Sequence, residues 1–217
     1  MGTERLALRE ATGADADRVA EIVSGDPSQE AIGLCGDRQR ARAFGMALAR
    51  SRVLEGGAQT IVGELDGRTV AILQMADGVG DVRLTRALAV IALRVFGPLG
   101  VLRAVFRGRA RARVDIRPPA GALHISELHV ASDMRGRGIG QAALCFAEQQ
   151  ARTRGHRLLS LTTTTSNPAR RLYERSGFRV VETRTDPVYR RITGIDGRHL
   201  MVKELEPTLR GREEPGA

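Results

Sequence analysis

A chain of 217 residues with 42% hydrophobic residues is long enough to fill one α/β or barrel domain with its own core. The net charge of +9 does not describe the whole protein, because residues 82–117 hold nine arginines against Asp115 and the rest is close to neutral, so basicity belongs to one segment. Two cysteines, Cys35 and Cys145, cannot make a disulfide framework or a four-ligand zinc site, the charged start MGTERLALRE does not resemble a signal peptide, and no later apolar run comes near the length of a membrane span; the expectation is a soluble, cytoplasmic protein.

In chain order, Arg5 to Arg9 reads as a strand. A helix follows to Gly25, opened by the capping pair Thr12 and Asp15 and striped by Val19, Ile22 and Val23. Residues 37–52 read as a second helix, joined to the first by a loop at Ile32 to Gly36. TIVGEL, Asp66-Gly67 and TVAILQMA form a hairpin, since the dipeptide accepts positive φ. The arginine-rich stretch reads as two short amphipathic helices split at Gly97-Pro98. ALHISELHV is a strand, Ile139 to Arg154 a helix closed by Gly155, and RLLSLTTTT another strand. Asn167 and Pro168 open a helix that Gly177 closes. Phe178 to Arg184 and His199 to Leu205 are the last strands, with a loop containing Tyr189 between them. Residues 206–217 are polar and contain Pro and Gly, as in a frayed tail. The whole predicts an α/β (α+β) domain over residues 1–205, with a helical insertion over 79–120.

The most informative stretch is SDMRGRGIGQAAL, Ser132 to Leu144. Three glycines at alternate positions leave the backbone bare, Arg135 and Arg137 stand before and between them, and an apolar helix starts at once. A strand, a glycine-rich turn and a helix N-terminus together present free amides and a favourable dipole to an anion, so the ligand should carry phosphate. The Rossmann fingerprint fails, because Gln141 stands where its third glycine would be, and the Walker A lysine motif is absent.

Downstream lies SNPARRLYERSGF, Ser166 to Phe178. Strand, RGRGIG, helix, strand and this short helix together resemble the GNAT superfamily of acetyl-CoA-dependent N-acetyltransferases, closely over Leu123 to Phe178 and more loosely over Arg5 to Ala76. The resemblance does not cover Val82 to Arg117. It implies a mixed, mostly antiparallel sheet flanked by helices, with the insertion between the third and fourth strands. It also implies that Arg135, Gly136, Arg137, Gly138, Ile139, Gly140 and Gln141 wrap the pyrophosphate of coenzyme A, Arg135, Gly138 and Gly140 filling the RxxGxG positions. By the same resemblance the backbone of Leu128, His129 and Val130 pairs with the pantetheine arm as if it were a further strand, and one of its amides polarises the acyl carbonyl. Ser166 stands where the family has Asn, with Asn167 one place later; either contacts the cofactor, or Asn167 caps the helix. Arg170 or Arg171 is a candidate for the 3′-phosphate.

Acetyl transfer to an amine needs a base for the nucleophile and a proton donor for the thiolate, since an alkylammonium has a pKa near ~10.4 and a thiol near ~8.5. Tyr173 matches the family's acid position; packing of its ring is the bland alternative. Glu127 is the first choice of base, because a carboxylate in an apolar strand needs a partner or a task. Strand alternation sets His129 on the same face as the competing base. His124 is a weaker candidate. The expected activity is transfer of an acetyl group from acetyl-CoA to a primary amine of a small molecule or peptide, in a ternary complex.

Two other classes of function stay open. One is an acyl-CoA-binding module without catalysis. The other is a binder of anionic surfaces or nucleic acid through the arginine segment, whose lack of an aromatic platform disfavours base stacking. The apolar residues of the insertion (Leu84, Leu88, Ile91, Val95, Leu102, Val105, Phe106) must be covered by the sheet, by a second subunit as in a homodimer, or by a membrane surface, ranked in that order.

Overall fold

The computed structural model describes residues 6–55, 59–77 and 86–206. Within them the chain runs β1 (Ala7–Glu10), α1 (Ala16–Ser24), α2 (Gln29–Cys35), α3 (Arg38–Glu55), β2 (Gln59–Leu65), β3 (Arg68–Asp77), α4 (Arg86–Arg113), β4 (Ala122–Val130), α5 (Ile139–Thr153), β5 (Leu158–Thr164), α6 (Arg170–Arg175), β6 (Arg179–Thr185), α7 (Pro187–Thr193) and β7 (Gly197–Glu204). The strands form one sheet in the order β1-β2-β3-β4-β5-β7-β6. Every pairing is antiparallel except β4 with β5, which α5 connects by a crossover. This is the mixed, mostly antiparallel sheet expected, with α4 between the third and fourth strands.

Local chemistry sets the first turns. The Asp15 carboxylate accepts from the Thr12 amide and hydroxyl at 2.8 and 2.9 Å, and from two Arg9 N–H groups at 2.8 and 2.9 Å. It thereby ties the end of β1 to the start of α1. The β2–β3 hairpin turns on Asp66 at φ 50° and Gly67 at φ 74°, the left-handed pair that a two-residue hairpin requires.

Two apolar layers sandwich the sheet. On one face Leu73 and Met75 of β3 and Leu123 and Ile125 of β4 pack under Leu144, Ala147 and Ala151 of α5, a cluster that extends to Tyr173 and Phe178. On the other, Val62 and Ile72 lie against Val19 of α1, with Val53 of α3 at the margin. One irregularity decides which face the polar residues of β4 take. Gln74 pairs with Glu127 but Met75 pairs with Ile125, so Ser126 is an extra residue in β4. Past this bulge the alternation is offset: Leu128 still packs against the α5 layer, while Glu127 and His129 turn to the α1–α3 side.

Several expectations need correction. Ile32 to Gly36, expected as loop, belongs mostly to α2, which Ser28 caps by accepting from the Ala31 amide. Gly33 lets α2 approach α7 closely, since a Cβ there would fall 2.5 Å from the Ile192 carbonyl oxygen. The expected loop around Tyr189 contains α7, capped by Asp186, which accepts from the Val188 and Tyr189 amides at 2.8 Å, and ended by Gly194 at φ 73°. Asn167, Pro168 and Ala169 form a turn ahead of α6 rather than its first turn.

The insertion divides as expected, because Gly97 adopts φ 67°, ψ 172° inside α4. The burial expected for it is only partly found: Ile91 and Val95 are half-buried, but Leu102, Val105 and Phe106 are exposed. Leu84 lies outside the described residues. The length expectation also fails. By length and composition α4 reaches the range of a membrane span, an 18-residue window having mean hydropathy 1.8 with none of it buried. Past Ala110 the segment is anchored, Ala110 and Val114 packing with Tyr189 and Ile195.

Candidate active site

Strands β4 and β5 pair only from Ala122 with Leu158 to Ile125 with Leu161. Beyond that point β5 continues to Thr164 on the β7 side, while β4 continues to Val130 on the β3 side. The sheet therefore splits into a wedge, and one backbone edge of Glu127, Leu128, His129 and Val130 faces it without a strand partner.

The glycine-rich turn lies at the end of that edge. A single 3-10 turn, Ser132–Met134, leads to Gly136 at φ 80° and Gly138 at φ 79°. Glycine is needed at both, because an L side chain is strained there. At neither would a Cβ meet any atom within 4 Å, so conformation and not crowding selects glycine. Gly138 is the N-cap of α5 without a side-chain cap bond, and its carbonyl accepts the first helical bond, from Ala142 at 3.0 Å. The amides of Ile139, Gly140 and Gln141 thus have no acceptor within the helix. Gly140 serves a different purpose: a Cβ there would lie 3.0 Å from Leu172, so it allows α5 and α6 to approach closely. Arg135 and Arg137 are exposed, Arg135 donating through Nε to the Val130 carbonyl at 3.3 Å. The Gln141 side chain is directed away, accepting from the Ser176 hydroxyl at 2.9 Å. The neighbouring carboxylate, Asp133, is neutralised by Arg68 at 2.9 Å. The result is a donor-rich, net positive turn suited to a diphosphate.

On the α3 side of the wedge, Nε2 of His129 lies 2.8 Å from Oε2 of Glu127, and Nη1 of Arg52 lies 3.5 Å from Oε1. Burial raises the Glu127 carboxyl, but the His129 hydrogen bond and the charges of His129, Arg52 and Arg198 outweigh it and hold it below the usual carboxylate range. His124 stands apart: its Nδ1 is 3.0 Å from the Ser160 hydroxyl within the sheet, and burial, reinforced by Arg198, lowers it to about 4. On the α5 side Tyr173 is buried, its ring edge-on to Phe178 at 6.3 Å. Burial first, then the Glu127 charge, pushes its hydroxyl up to about 12. That hydroxyl makes no side-chain hydrogen bond among the described residues.

The last candidates lie at the start of α6. Asn167 donates to the Thr163 hydroxyl at 2.7 Å and accepts from the Ala169 amide at 2.9 Å, so both ends of its amide hold the local turn. Ser166 is exposed. Arg170 donates to Glu174 at 2.7 Å and faces Nε2 of His199, whereas Arg171 is exposed with no acidic partner among the described residues. Sequence reasoning missed Arg52 and Arg198. Arg52 reaches Glu127 across 75 positions, and no local pattern foretells such a pair.

Residues 87–178 match the model of the acetyltransferase (GNAT) family. The match takes in α4, so likeness to the family extends further back than Leu123 and includes the segment expected to fall outside it. No curated protein matches the chain by sequence. Among solved structures, an acetyltransferase of Corynebacterium glutamicum described as histone acetyltransferase HPA2 and related acetyltransferase superposes with TM-score 0.65 at 18% identity, over 95% of this chain and 99% of that one. The yncA structure of Salmonella typhimurium, which holds its cofactor acetyl-CoA, has TM-score 0.52 at 15% identity, over 97% and 99%. The PaiA N-acetyltransferase of Thermoplasma acidophilum, in complex with coenzyme A, has TM-score 0.55 at 11% identity, over 92% and 99%. At such identities these likenesses concern the fold. The split β4–β5 pair and the positive glycine turn leading into a helix both lie within the residues that match the GNAT acetyltransferase family model, and the fold is the one its solved structures share.

Proposed function

We propose that the protein transfers an acetyl group from acetyl-CoA to a primary amine of a small molecule or peptide, both substrates being bound together. The observation that carries this reading is the wedge itself. It opens between a pair of groups able to accept a proton, Glu127 and His129, and a protonated hydroxyl, Tyr173, with a diphosphate-sized cradle of amides at its end.

The residues present fit coenzyme A. The amides of Ile139, Gly140 and Gln141, with Arg135 and Arg137, would hold the pyrophosphate. The free edge of Leu128, His129 and Val130 would pair with the pantetheine amides, one of its N–H groups stabilising charge on the acyl oxygen. Asn167 shapes the turn at the far side of the wedge and Arg171 has its guanidinium free for the 3′-phosphate; Arg170, held by Glu174, and Ser166 lie beside them. Acetyl-CoA supplies an activated thioester and a thiolate leaving group.

An incoming ammonium must lose a proton before it can attack, and the Glu127–His129 pair receives it. Glu127 is ionised at neutral pH because its carboxyl is held low, and it fixes the Nε2 end of the His129 ring. Tyr173 acts by hydrogen bonding. A hydroxyl raised to about 12 does not surrender its proton fully to a thiolate whose conjugate acid has a pKa near ~8.5, so it steadies the leaving sulfur while the proton for the thiol comes from the acceptor side.

The test is calorimetry with acetyl-CoA followed by thiol release across a panel of amines. Micromolar binding by the wild type, weakened by Arg135→Ala, with turnover on at least one amine, supports the reading. Binding unchanged by Arg135→Ala and by Gly138→Glu would remove the cradle, and binding without turnover on any amine would leave only a coenzyme A-binding module.

A further inference from the structure

We propose that the outer face of α4 seats the protein on an anionic lipid bilayer, its apolar side chains entering the headgroup boundary and its arginines meeting lipid phosphates. Six of the eight large apolar side chains left exposed among the described residues belong to this one element: Val90, Leu93, Leu99, Leu102, Val105 and Phe106. Leu99, Leu102 and Phe106 are 77%, 69% and 62% exposed, values far from those of a helix covered by its own domain. They follow helical spacing within each arm, on either side of the Gly97 break.

The charge around that surface selects its occupant. Arg86, Arg94, Arg103 and Arg109 are exposed on the same element, and none has an acidic partner among the described residues. The segment's inner arginines are already used: Arg111 pairs with Glu30 and Asp115 at 3.1 and 2.7 Å, and Arg113 with Asp186 at 3.6 Å. An apolar ridge fringed by unpaired guanidinium groups complements a bilayer surface carrying phosphates, where long basic side chains keep their heads at the interface. A second copy of this chain fits worse, because a symmetric contact would bring the two arginine fringes together. Nucleic acid also fits worse. Phe106 is the one aromatic side chain exposed on α4, and Phe96 is spent on a ring contact with Phe44 at 5.2 Å, so no stacking platform is left.

The helix lies on the bilayer and does not cross it. Gly97 at φ 67° divides α4 into arms of Arg86 to Phe96 and Pro98 to Arg113, each shorter than the ~20 residues a span needs. The second arm is fixed to α7 by Ala110. Two short arms, each with exposed apolar residues and with charge alongside them, have the form of an interfacial helix.

Sedimentation with vesicles tests this. The expected result is binding to phosphatidylcholine vesicles carrying roughly one-third phosphatidylglycerol, little binding to phosphatidylcholine alone, and loss of binding as salt rises. Leu102→Asp with Phe106→Asp should weaken that binding more than about tenfold. The sequence has no tryptophan, so Phe106→Trp gives a single reporter whose emission should shift to the blue on anionic vesicles; this reading stands even if the aspartate variant fails to fold. Equal affinity for the two vesicle types, unaltered binding by a folded aspartate variant, or vesicle binding with unshifted emission would each overturn the proposal. So would a wild-type dimer that the aspartate variant splits, which would make the face a contact between copies, or duplex DNA binding that anionic vesicles do not compete away.

Discussion

Glu127 and His129, two positions apart on β4, meet through a 2.8 Å contact on the face of the sheet opposite α5. Simple alternation would send both residues toward the core that holds Leu123 and Ile125. The bulge at Ser126 reverses this and sets the pair against Arg52. The pair is thus a product of strand register, and deleting Ser126 should remove activity by turning Glu127 inward.

For Glu127→Gln, kcat/KM should fall by roughly 10²- to 10⁴-fold, the usual range for a lost general base. The sign of the pH dependence follows from the lowered carboxyl. Glu127 remains ionised as pH falls through the usual carboxylate range, so any acid limb of the wild-type profile above that range should come from a group other than Glu127. Steady-state profiles of wild type, Glu127→Gln and His129→Gln check this. A wild-type acid limb that Glu127→Gln abolishes while His129→Gln leaves it in place would reassign the titrating group.

Tyr173→Phe should lower kcat by about 10- to 100-fold, the worth of one charge-assisted hydrogen bond, and leave acetyl-CoA affinity nearly unchanged. The ring still packs on Phe178, so unfolding should shift little. Because the wild-type hydroxyl is raised to about 12, it keeps its proton throughout the assay range, and no basic limb from Tyr173 should be seen up to about pH 10. A loss equal in kcat and in cofactor affinity would make the residue a packing element only.

At the turn, Gly138→Glu puts an L residue at φ 79°, costing about 1–2 kcal/mol, and sets a carboxylate where a diphosphate would lie. Folding should survive, since no atom lies within 4 Å of the added Cβ, but thermal stabilisation by acetyl-CoA should vanish. Scanning fluorimetry with and without acetyl-CoA separates the two effects.

What could be read along the sequence was what neighbours along the chain decide. Asp66-Gly67 announces its hairpin because positive φ is a local demand, and RGRGIG announces a tight turn into a helix because Gly136 and Gly138 meet the same demand next to a helix start. Alternation brought Glu127 and His129 together correctly, though the face they take depends on a bulge visible only through pairing with β3. Helix α2 escaped because Gly33 looks like a loop residue until α7 lies against it. Helix α7 escaped although Asp186, Pro187 and Gly194 are fair start and stop signals, since seven residues make too few turns to display a periodicity. The exposure of α4 was illegible for the opposite reason: its pattern is apolar, and only the packed domain leaves Leu102 and Phe106 uncovered.

Asp15 should carry much of the acid sensitivity of the fold. Its carboxyl is held well below the usual range, chiefly by the Arg9 hydrogen bonds, against the opposing effect of burial. A lowered folded-state pKa means stability that is present above the unfolded value and is lost as pH falls toward the folded one. Asp15→Asn should therefore cost about 1–3 kcal/mol at pH 7, with the gap from wild type narrowing below about pH 4. Urea unfolding at both pH values measures it, and a gap that persists at low pH would place the loss in the cap geometry.

Glu30 is the keystone of a second network, and it links the fold to the site. Its carboxylate accepts from the Tyr189 hydroxyl at 2.7 Å, from Nη1 of Arg198 at 2.6 and 2.9 Å, and from Nε of Arg111 at 3.1 Å. Arg198 is buried, and its Nε has no partner among the described residues, so Glu30→Ala would strand a buried cation and should cost about 3–5 kcal/mol. Arg198→Met with Glu30→Gln removes both charges together and should cost much less. The same arginine adds to the charges that hold the Glu127 carboxyl down. Arg198→Met alone should raise that carboxyl and shift any Glu127-dependent acid limb to higher pH, whereas Arg111→Met, which contacts Glu30 but does not contribute to the Glu127 shift, should destabilise without moving the profile. If both variants moved it equally, the coupling would run through packing of α2 and not through charge.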